Sequence, residues 1–270
     1  MSNQHLIALD LDGTLLKDDK TISEKTLTII EKAKAAGHKV VISTGRPYRA
    51  SLQYYQQMKL NTAIVNFNGA FVHHPFDRSF QTSHSPLDLK TAQTVIETCE
   101  AFKVSNIMVE VIDDFYLRHF DQLLVDTFVA GESPVEYGDL LKILNDDPTC
   151  ILIHPHEHHI TELKGLLKDA HAEVIDQRSW GAPWNVLELV KTGINKAVGL
   201  KKVADFYQIP KERIIAFGDE DNDFEMIEYA GQGVAMKNAI PELKSLANEI
   251  TLTNEEDGIA VYLEEALNLK

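Results

Sequence analysis

Two carboxylates, Asp10 and Asp12, stand two residues apart in Asp-Leu-Asp-Gly-Thr (10–14), directly behind the apolar run Leu6-Ile7-Ala8-Leu9. In a strand alternate side chains share a face, so the two carboxylates point the same way if the strand continues. Like charges side by side repel, and burying them is costly unless a cation or a proton offsets them. The plain alternative is an Asp-Gly turn, and Asp-x-Asp-Gly in isolation is weak evidence of chemistry.

Three further polar clusters bear on the choice: Ser43-Thr44-Gly45-Arg46, Lys196, and Gly218-Asp219-Glu220-Asp221-Asn222-Asp223. Each has its own plain reading: a turn, a solvated helix residue, and an acidic helix start favoured by the helix dipole. Their placement argues otherwise. All four fall just past the end of an expected strand or at the start of a helix, and ligands of open parallel sheets bind at that carboxyl edge.

The elements that must hold these residues alternate. His5–Asp10 reads as a buried strand. A helix follows with Ser23 as N-cap, apolar positions Leu27, Ile30 and Ala33, and Gly37 at its C-terminal end. Lys39–Ile42 is a second strand, Tyr48–Met58 a helix, and Thr62–Val65 a third strand that runs into Asn66-Phe67-Asn68-Gly69. This rhythm implies a parallel sheet with helices on its faces. From Ser83 to Leu189 the alternation is less regular, with helices expected at Leu87–Phe102 and Ile160–His171. Strands are expected there at Ile107–Val111, Cys150–Ile153 and Val186–Val190. The α/β rhythm returns with a helix at Asn195–Tyr207 and a strand at Arg213–Phe217. A helix at Phe224–Ala230, a strand at Gly233–Met236 and a helix at Val261–Leu267 complete it. The expected fold is therefore an α/β, Rossmann-like core of residues 1–82 and 190–270, interrupted by an inserted α+β domain of residues 83–189.

Bulk properties exclude some functions. The 270 residues suffice for one large or two ordinary domains. A formal net charge of −15 argues against a nucleic-acid-binding surface, which needs a basic patch. Cys99 and Cys150 lack metal-ligand spacing and read as buried reduced thiols. The N-terminal stretch does not have the form of a secretory signal, and no run approaches the roughly 18 apolar residues of a membrane span. A cytoplasmic protein acting without membrane or nucleic acid is the expectation; oligomeric state is not legible.

The motifs together resemble the haloacid dehalogenase superfamily of phosphatases, in its Cof-type branch with a large C2-type cap. The matching segments are Asp-Leu-Asp-Gly-Thr at 10–14, Ile-Ser-Thr-Gly-Arg at 42–46, Asn-Gly-Ala at 68–70 and Lys196. Gly-Asp-x-x-Asn-Asp at 218–223, Gly-Val-Ala-Met-x-Asn-Ala at 233–239 and Asn254–Gly258 complete the set. The inserted domain matches in size and placement only. The resemblance implies that Asp10 is a nucleophile forming an aspartyl-phosphate and that Asp12 is the general acid and base. It implies that Thr44, Gly45 and Asn222 contact phosphate and that Lys196 neutralises nucleophile and phosphate. Asp10, Asp219, Asp223 and the backbone carbonyl of Asp12 would hold Mg²⁺. Arg46 reaches substrate or pairs with an acidic neighbour. The implied activity is hydrolysis of small phosphorylated metabolites, sugar phosphates first and nucleotide or cofactor phosphates behind them. The competing readings are a phosphomutase of the same superfamily and a non-catalytic phosphometabolite-binding module. A P-type-ATPase-like transporter is disfavoured, because such chains carry Thr at the position of Asp12 and need membrane spans.

Other signals are weaker. His154, His156, His158 and His159 could gather zinc, but Pro155 and a strand-to-helix transition would scatter them. Gly231-Gln232-Gly233 lacks the third glycine of a dinucleotide fingerprint, position 236 being Met. No Gly-x-x-x-x-Gly-Lys-Ser/Thr loop occurs. Trp180, Pro183 and Trp184 read either as a substrate wall or as linker packing.

Overall fold

The computed structural model describes residues 4–122, 124–125, 133–156, 160–171, 175–180 and 186–269. The chain forms two compact units, one of residues 1–46, 51–83 and 195–270, the other of 47–50 and 84–194.

In the first unit, β1 (Leu6–Leu9) is buried at every position, as a strand covered on both faces must be. α1 (Glu24–Ala35) starts where Ser23 accepts a hydrogen bond from the Thr26 amide, and it buries Ile29, Ile30 and Ala33. Gly37, at φ +93°, follows its end. Then come β2 (Lys39–Ile42) and α2 (Tyr48–Gln57), whose residues 48–50 count with the second unit. β3 (Ile64–Asn66) turns through a short 3₁₀ segment, Phe67–Gly69, into β4 (Phe71–His73), which pairs with it antiparallel. That hairpin departs from the expected strand-to-turn ending. Asn68-Gly69 is the hairpin dipeptide that announces it.

The chain passes through β5 (Ser83–His84) into the second unit. There follow α3 (Leu89–Ala101), β6 (Asn106–Val111), β7 (Asp114–Leu117), β8 (Glu136–Tyr137) and α4 (Leu140–Ile143). β9 (Cys150–His154), α5 (Ile160–His171), β10 (Ile175–Trp180) and β11 (Val186–Lys191) follow among the described residues. Among the described residues its six strands run in the order β10-β11-β9-β6-β7-β8. All neighbours are antiparallel except β7 and β8. Alternate residues Ile107, Val109, Ile151, Ile153, Leu187 and Leu189 share a core with Ala92, Val95, Ile96 and Cys99 of α3 and with Leu163 and Leu167 of α5. Within this unit Arg49 pairs with Glu110, both side chains being buried. Cys99 and Cys150 are buried and unbonded to each other; burial pushes the Cys99 thiol up to about 12.

The first unit resumes with α6 (Lys196–Tyr207), β12 (Ile214–Gly218), α7 (Phe224–Tyr229), β13 (Gln232–Ala235), α8 (Pro241–Leu246), β14 (Glu249–Ile250) and α9 (Gly258–Ala266). Its parallel sheet has the order β14-β13-β12-β1-β2, and a parallel bridge from Ser43 to Val65 brings β3 beside β2. The strand order reverses at β1, with β2 on one side and β12 on the other. That reversal opens a crevice at the carboxyl end of β1. No helix among the described residues is long and apolar enough to cross a membrane.

Candidate active site

The crevice receives the expected residues from three strand ends. Asp10 follows β1 directly, its amide donating to the Phe217 carbonyl of β12 (3.3 Å). Ser43 extends β2, its amide donating to Leu9 (2.9 Å), and Thr44 donates to Val65 (2.9 Å). Asp219 follows β12, and residues Asp221–Asp223 form a 3₁₀ turn there.

Lys196 arrives from a helix start. Asn195 caps α6 by accepting from the Val198 amide (3.0 Å). Gly69, at φ +98°, lies so close to the Asn195 carbonyl that a Cβ on it would collide with that oxygen. This turn lets α6 approach and sets the Lys196 side chain wholly inside the protein.

There Lys196 Nζ donates to Asp10 Oδ1 (2.6 Å) and Asp223 Oδ1 (2.7 Å). Asp223 Oδ2 accepts from the amides of Asp219 (3.0 Å) and Glu220 (3.3 Å), so both its oxygens are engaged. Thr14 Oγ1 donates to Asp219 Oδ1 (2.6 Å). One oxygen each of Asp10, Asp219 and Asp223 lies within 4.8 Å of the others, and all three residues are buried. Gly13, at φ +75°, leaves room for the Asp219 carboxylate, which a Cβ would strike.

One lysine therefore faces three buried carboxylates. Burial drives the Asp10 carboxyl well above its ordinary range; Lys196 opposes this, while Asp223 and Asp219 add to it. Burial, then the charge of Asp223, pushes Asp219 up to about 7. Oxygen ligands crowded at this spacing, with charge left to offset, fit a small hard cation.

Asp12 does not share this cluster. β1 ends at Leu9 and a turn separates the two aspartates, so the same-face expectation for a continuing strand does not apply. Its carboxylate takes a two-point grip from Arg46, Nε to Oδ2 and Nη2 to Oδ1 (both 2.6 Å), and a third bond from Lys20 (2.8 Å). Burial works against its charge, but the hydrogen bonds and charges of Arg46 and Lys20 outweigh burial and hold the carboxyl at about 2. Arg46 thus pairs with an acidic neighbour here, one of the two roles open to it.

Thr44 Oγ1 accepts from the Arg46 amide (3.1 Å). Gly45 lies against Asn68, a Cβ on it falling 3.2 Å from Asn68 Nδ2. Asn222 Nδ2 donates to Asn68 Oδ1 (3.0 Å). His156 hydrogen-bonds Ser105 (2.9 Å), and no described histidine joins a metal-ligating group. His158, His159, Pro183 and Trp184 and the Trp180 side chain lie outside the described residues. Sequence reasoning gave no role to Thr14 or Lys20. Thr14 stood in the quoted motif, whereas nothing marks Lys20 before the loop is folded.

A family model described as haloacid dehalogenase-like hydrolase matches residues 7–263. The chain belongs to the haloacid dehalogenase-like hydrolases. This hydrolase is 56% identical over 265 residues to the 5-amino-6-(5-phospho-D-ribitylamino)uracil phosphatase YitU of Bacillus subtilis, covering 98% of each chain. It is 32% identical over 260 residues to YcsE of the same organism, which bears the same activity name, covering 94% of this chain and 92% of that one. Among solved structures it is similar to a haloacid dehalogenase-like hydrolase from Bacteroides thetaiotaomicron. That match has a TM-score of 0.86 and 27% identity, over 97% of this chain and 99% of the other. The haloacid dehalogenase-like hydrolase described here is an enzyme of the phosphatase class.

Proposed function

We propose that the enzyme is Mg²⁺-dependent and hydrolyses a small phosphorylated metabolite through an aspartyl-phosphate on Asp10. The observation that carries this reading is the buried Asp10–Lys196–Asp223 chain with Asp219 beside it.

Asp10, Asp219 and the backbone carbonyl of Asp12 would hold the ion, with Asp223 at its side. The ion would supply positive charge to the phosphoryl oxygens. Lys196 opposes protonation of Asp10 and aims its carboxylate, and the ion would supply the rest of the offsetting charge, since a buried carboxylate without enough of it takes up a proton. Thr44 Oγ1 and the Gly45 amide donate to the phosphoryl group. Asp12 cannot donate a proton while Arg46 grips both its oxygens. Transfer of Arg46 from Asp12 to the substrate frees Asp12 to protonate the leaving oxygen and then to activate water. The two roles open to Arg46 become successive states of one side chain.

The 56% identical relative supports a definite substrate class, a phosphorylated ribityl chain on a uracil-type ring. We place residues 83–189 as the cap that selects it. Assays of inorganic phosphate release should use 5-amino-6-(5-phospho-D-ribitylamino)uracil, hexose phosphates, nucleoside monophosphates and p-nitrophenyl phosphate. We expect kcat/KM for the first to exceed the other metabolites by about 100-fold or more, since a site built to hydrogen-bond substrate groups can reach about 10⁴–10⁵-fold. Preference for a nucleotide would overturn the substrate; conversion without phosphate release would indicate a phosphomutase.

The carboxylate cluster also predicts a pH effect in the metal-free protein. Asp219 titrates near 7 when folded and near 4 when unfolded. A group raised in this way contributes stability below its unfolded pKa and loses it as pH rises through its folded one. The unfolding midpoint without metal should fall between pH 5 and pH 8, and Mg²⁺ should restore more of it at pH 8. Asp219→Asn should flatten both responses. An equal Mg²⁺ effect at the two pH values in the native protein would contradict the assignment.

A further inference from the structure

Asn68 sits in a left-handed turn conformation. Its φ of +52° and ψ of +32° are left-handed, and glycine adopts that region without the steric penalty of a side chain. Asparagine tolerates that region better than most residues with a side chain, so the turn accounts for its backbone, and what its buried carboxamide touches is a separate matter. It is buried, 1% exposed, between two loops that lie far apart in sequence.

The Asn68 amide donates to the Thr44 carbonyl (3.0 Å). Its side-chain oxygen accepts from Asn222 Nδ2 (3.0 Å), and its carboxamide backs directly onto Gly45. Thr44, Gly45 and Asn222 are the three residues read above as phosphate contacts. Asn222 is half-buried. A planar carboxamide with one N–H fixed by a neighbour has its other N–H aimed as well. Holding such a donor in advance removes an ordering cost that binding would otherwise meet.

We propose that Asn68 is a positioning residue for the phosphoryl group, orienting the Asn222 carboxamide and supporting the Thr44–Gly45 turn from behind. The proposal rests on the phosphatase reading. It adds that phosphate recognition depends on a residue that does not touch the phosphate.

The test is a double-mutant cycle on the full-length enzyme, with p-nitrophenyl phosphate as substrate and inorganic phosphate as inhibitor. Asn68→Gly keeps the left-handed backbone accessible and deletes the carboxamide. It should raise KM and the inhibition constant of phosphate about tenfold, the scale of one hydrogen bond to a charged group, with kcat within about threefold. A change in stability alone would not move the inhibition constant. Asn222→Ala should cost a similar factor in the native background and almost nothing further in the Asn68→Gly background. Asn68→Asp keeps an oxygen to accept from Asn222, so in that background Asn222→Ala should still exact its full cost. Asn68→Asp is thus the control. If Asn68→Gly fails to fold, Asn68→Ser, whose hydroxyl stops one bond short of the Asn68 oxygen, carries the same cycle, and the Asn222→Ala cost should vanish in its background.

An unchanged phosphate inhibition constant in Asn68→Gly would overturn the proposal. So would multiplicative losses in the double variant, or loss of the Asn222 effect in the Asn68→Asp background. If the native enzyme hydrolyses p-nitrophenyl phosphate and the cycle is additive, only the role of Asn68 falls. If it hydrolyses no phosphate ester, the phosphatase reading itself falls.

Discussion

Asp10→Asn leaves the enzyme folded and reduces turnover of every phosphate ester by on the order of 10⁵-fold or more, the scale seen when a covalent nucleophile is removed. An amide oxygen is a poor nucleophile and cannot form the acyl phosphate. It is also a weaker ligand for a hard cation than a carboxylate. The fold should survive for an electrostatic reason. Asp10 is one of three buried carboxylates facing one lysine, and burial already pushes its carboxyl towards the neutral form. Removing its charge leaves Lys196 paired with Asp223 at 2.7 Å and relieves repulsion with Asp219. Circular dichroism should therefore be unchanged, and the metal-free unfolding midpoint should not drop. Residual activity within tenfold of the native enzyme would remove Asp10 from the nucleophile role.

Asp12→Asn divides the reaction in two. A sugar-type alkoxide leaves badly unless protonated, whereas p-nitrophenolate leaves with little help. Acid–base catalysis is worth about 10²–10⁴-fold, so phosphoenzyme formation from a phosphorylated sugar or ribityl chain should slow by that factor. The same step with p-nitrophenyl phosphate should be far less affected. Water still needs a base to attack the aspartyl-phosphate. The variant should release p-nitrophenolate in a burst near one equivalent per active site and then turn over slowly. The substitution also takes the carboxylate charge away from Arg46 and Lys20, which now hold it at 2.6 Å and 2.8 Å. Phosphoenzyme formation from p-nitrophenyl phosphate should gain from this if anything. Equal slowing with both substrates and no burst would deny Asp12 the acid–base role.

The sheet and its crevice were legible in the sequence because their signals are local. Leu6–Leu9 and Lys39–Ile42 are short apolar runs of the kind a doubly covered parallel strand requires, and Ser23 caps the intervening helix as its type predicts. Asp10, Lys196, Asp219 and Asp223 converge because each sits at a strand end or helix start that the sheet order brings together. β10 was not legible, since Asp176-Gln177-Arg178-Ser179 shows no alternation of apolar and polar residues. It is a strand because it pairs along its whole length with β11. β8 has two residues, both exposed, and is held by pairing with β7. β14, also two exposed residues, is held by β13.

The partners of Asp12 and Asn222 were hidden for a different reason. Arg46, Lys20 and Asn68 compete for those side chains only once three loops have taken their shapes. Strand periodicity carries no information about that choice. Lys20 and Asn68 both have positive φ, so their backbones are set by turn geometry rather than by a regular element.

The most direct measurement is to trap the covalent intermediate. Asp12→Asn should be mixed with p-nitrophenyl phosphate and Mg²⁺, quenched in acid within the burst, digested and mapped by mass spectrometry. The account predicts one phosphoryl group per chain on the peptide containing Asp10, at Asp10 itself, and none when Asp10→Asn is added. Phosphorylation at another residue, or a burst of p-nitrophenolate with unmodified enzyme throughout, would contradict it.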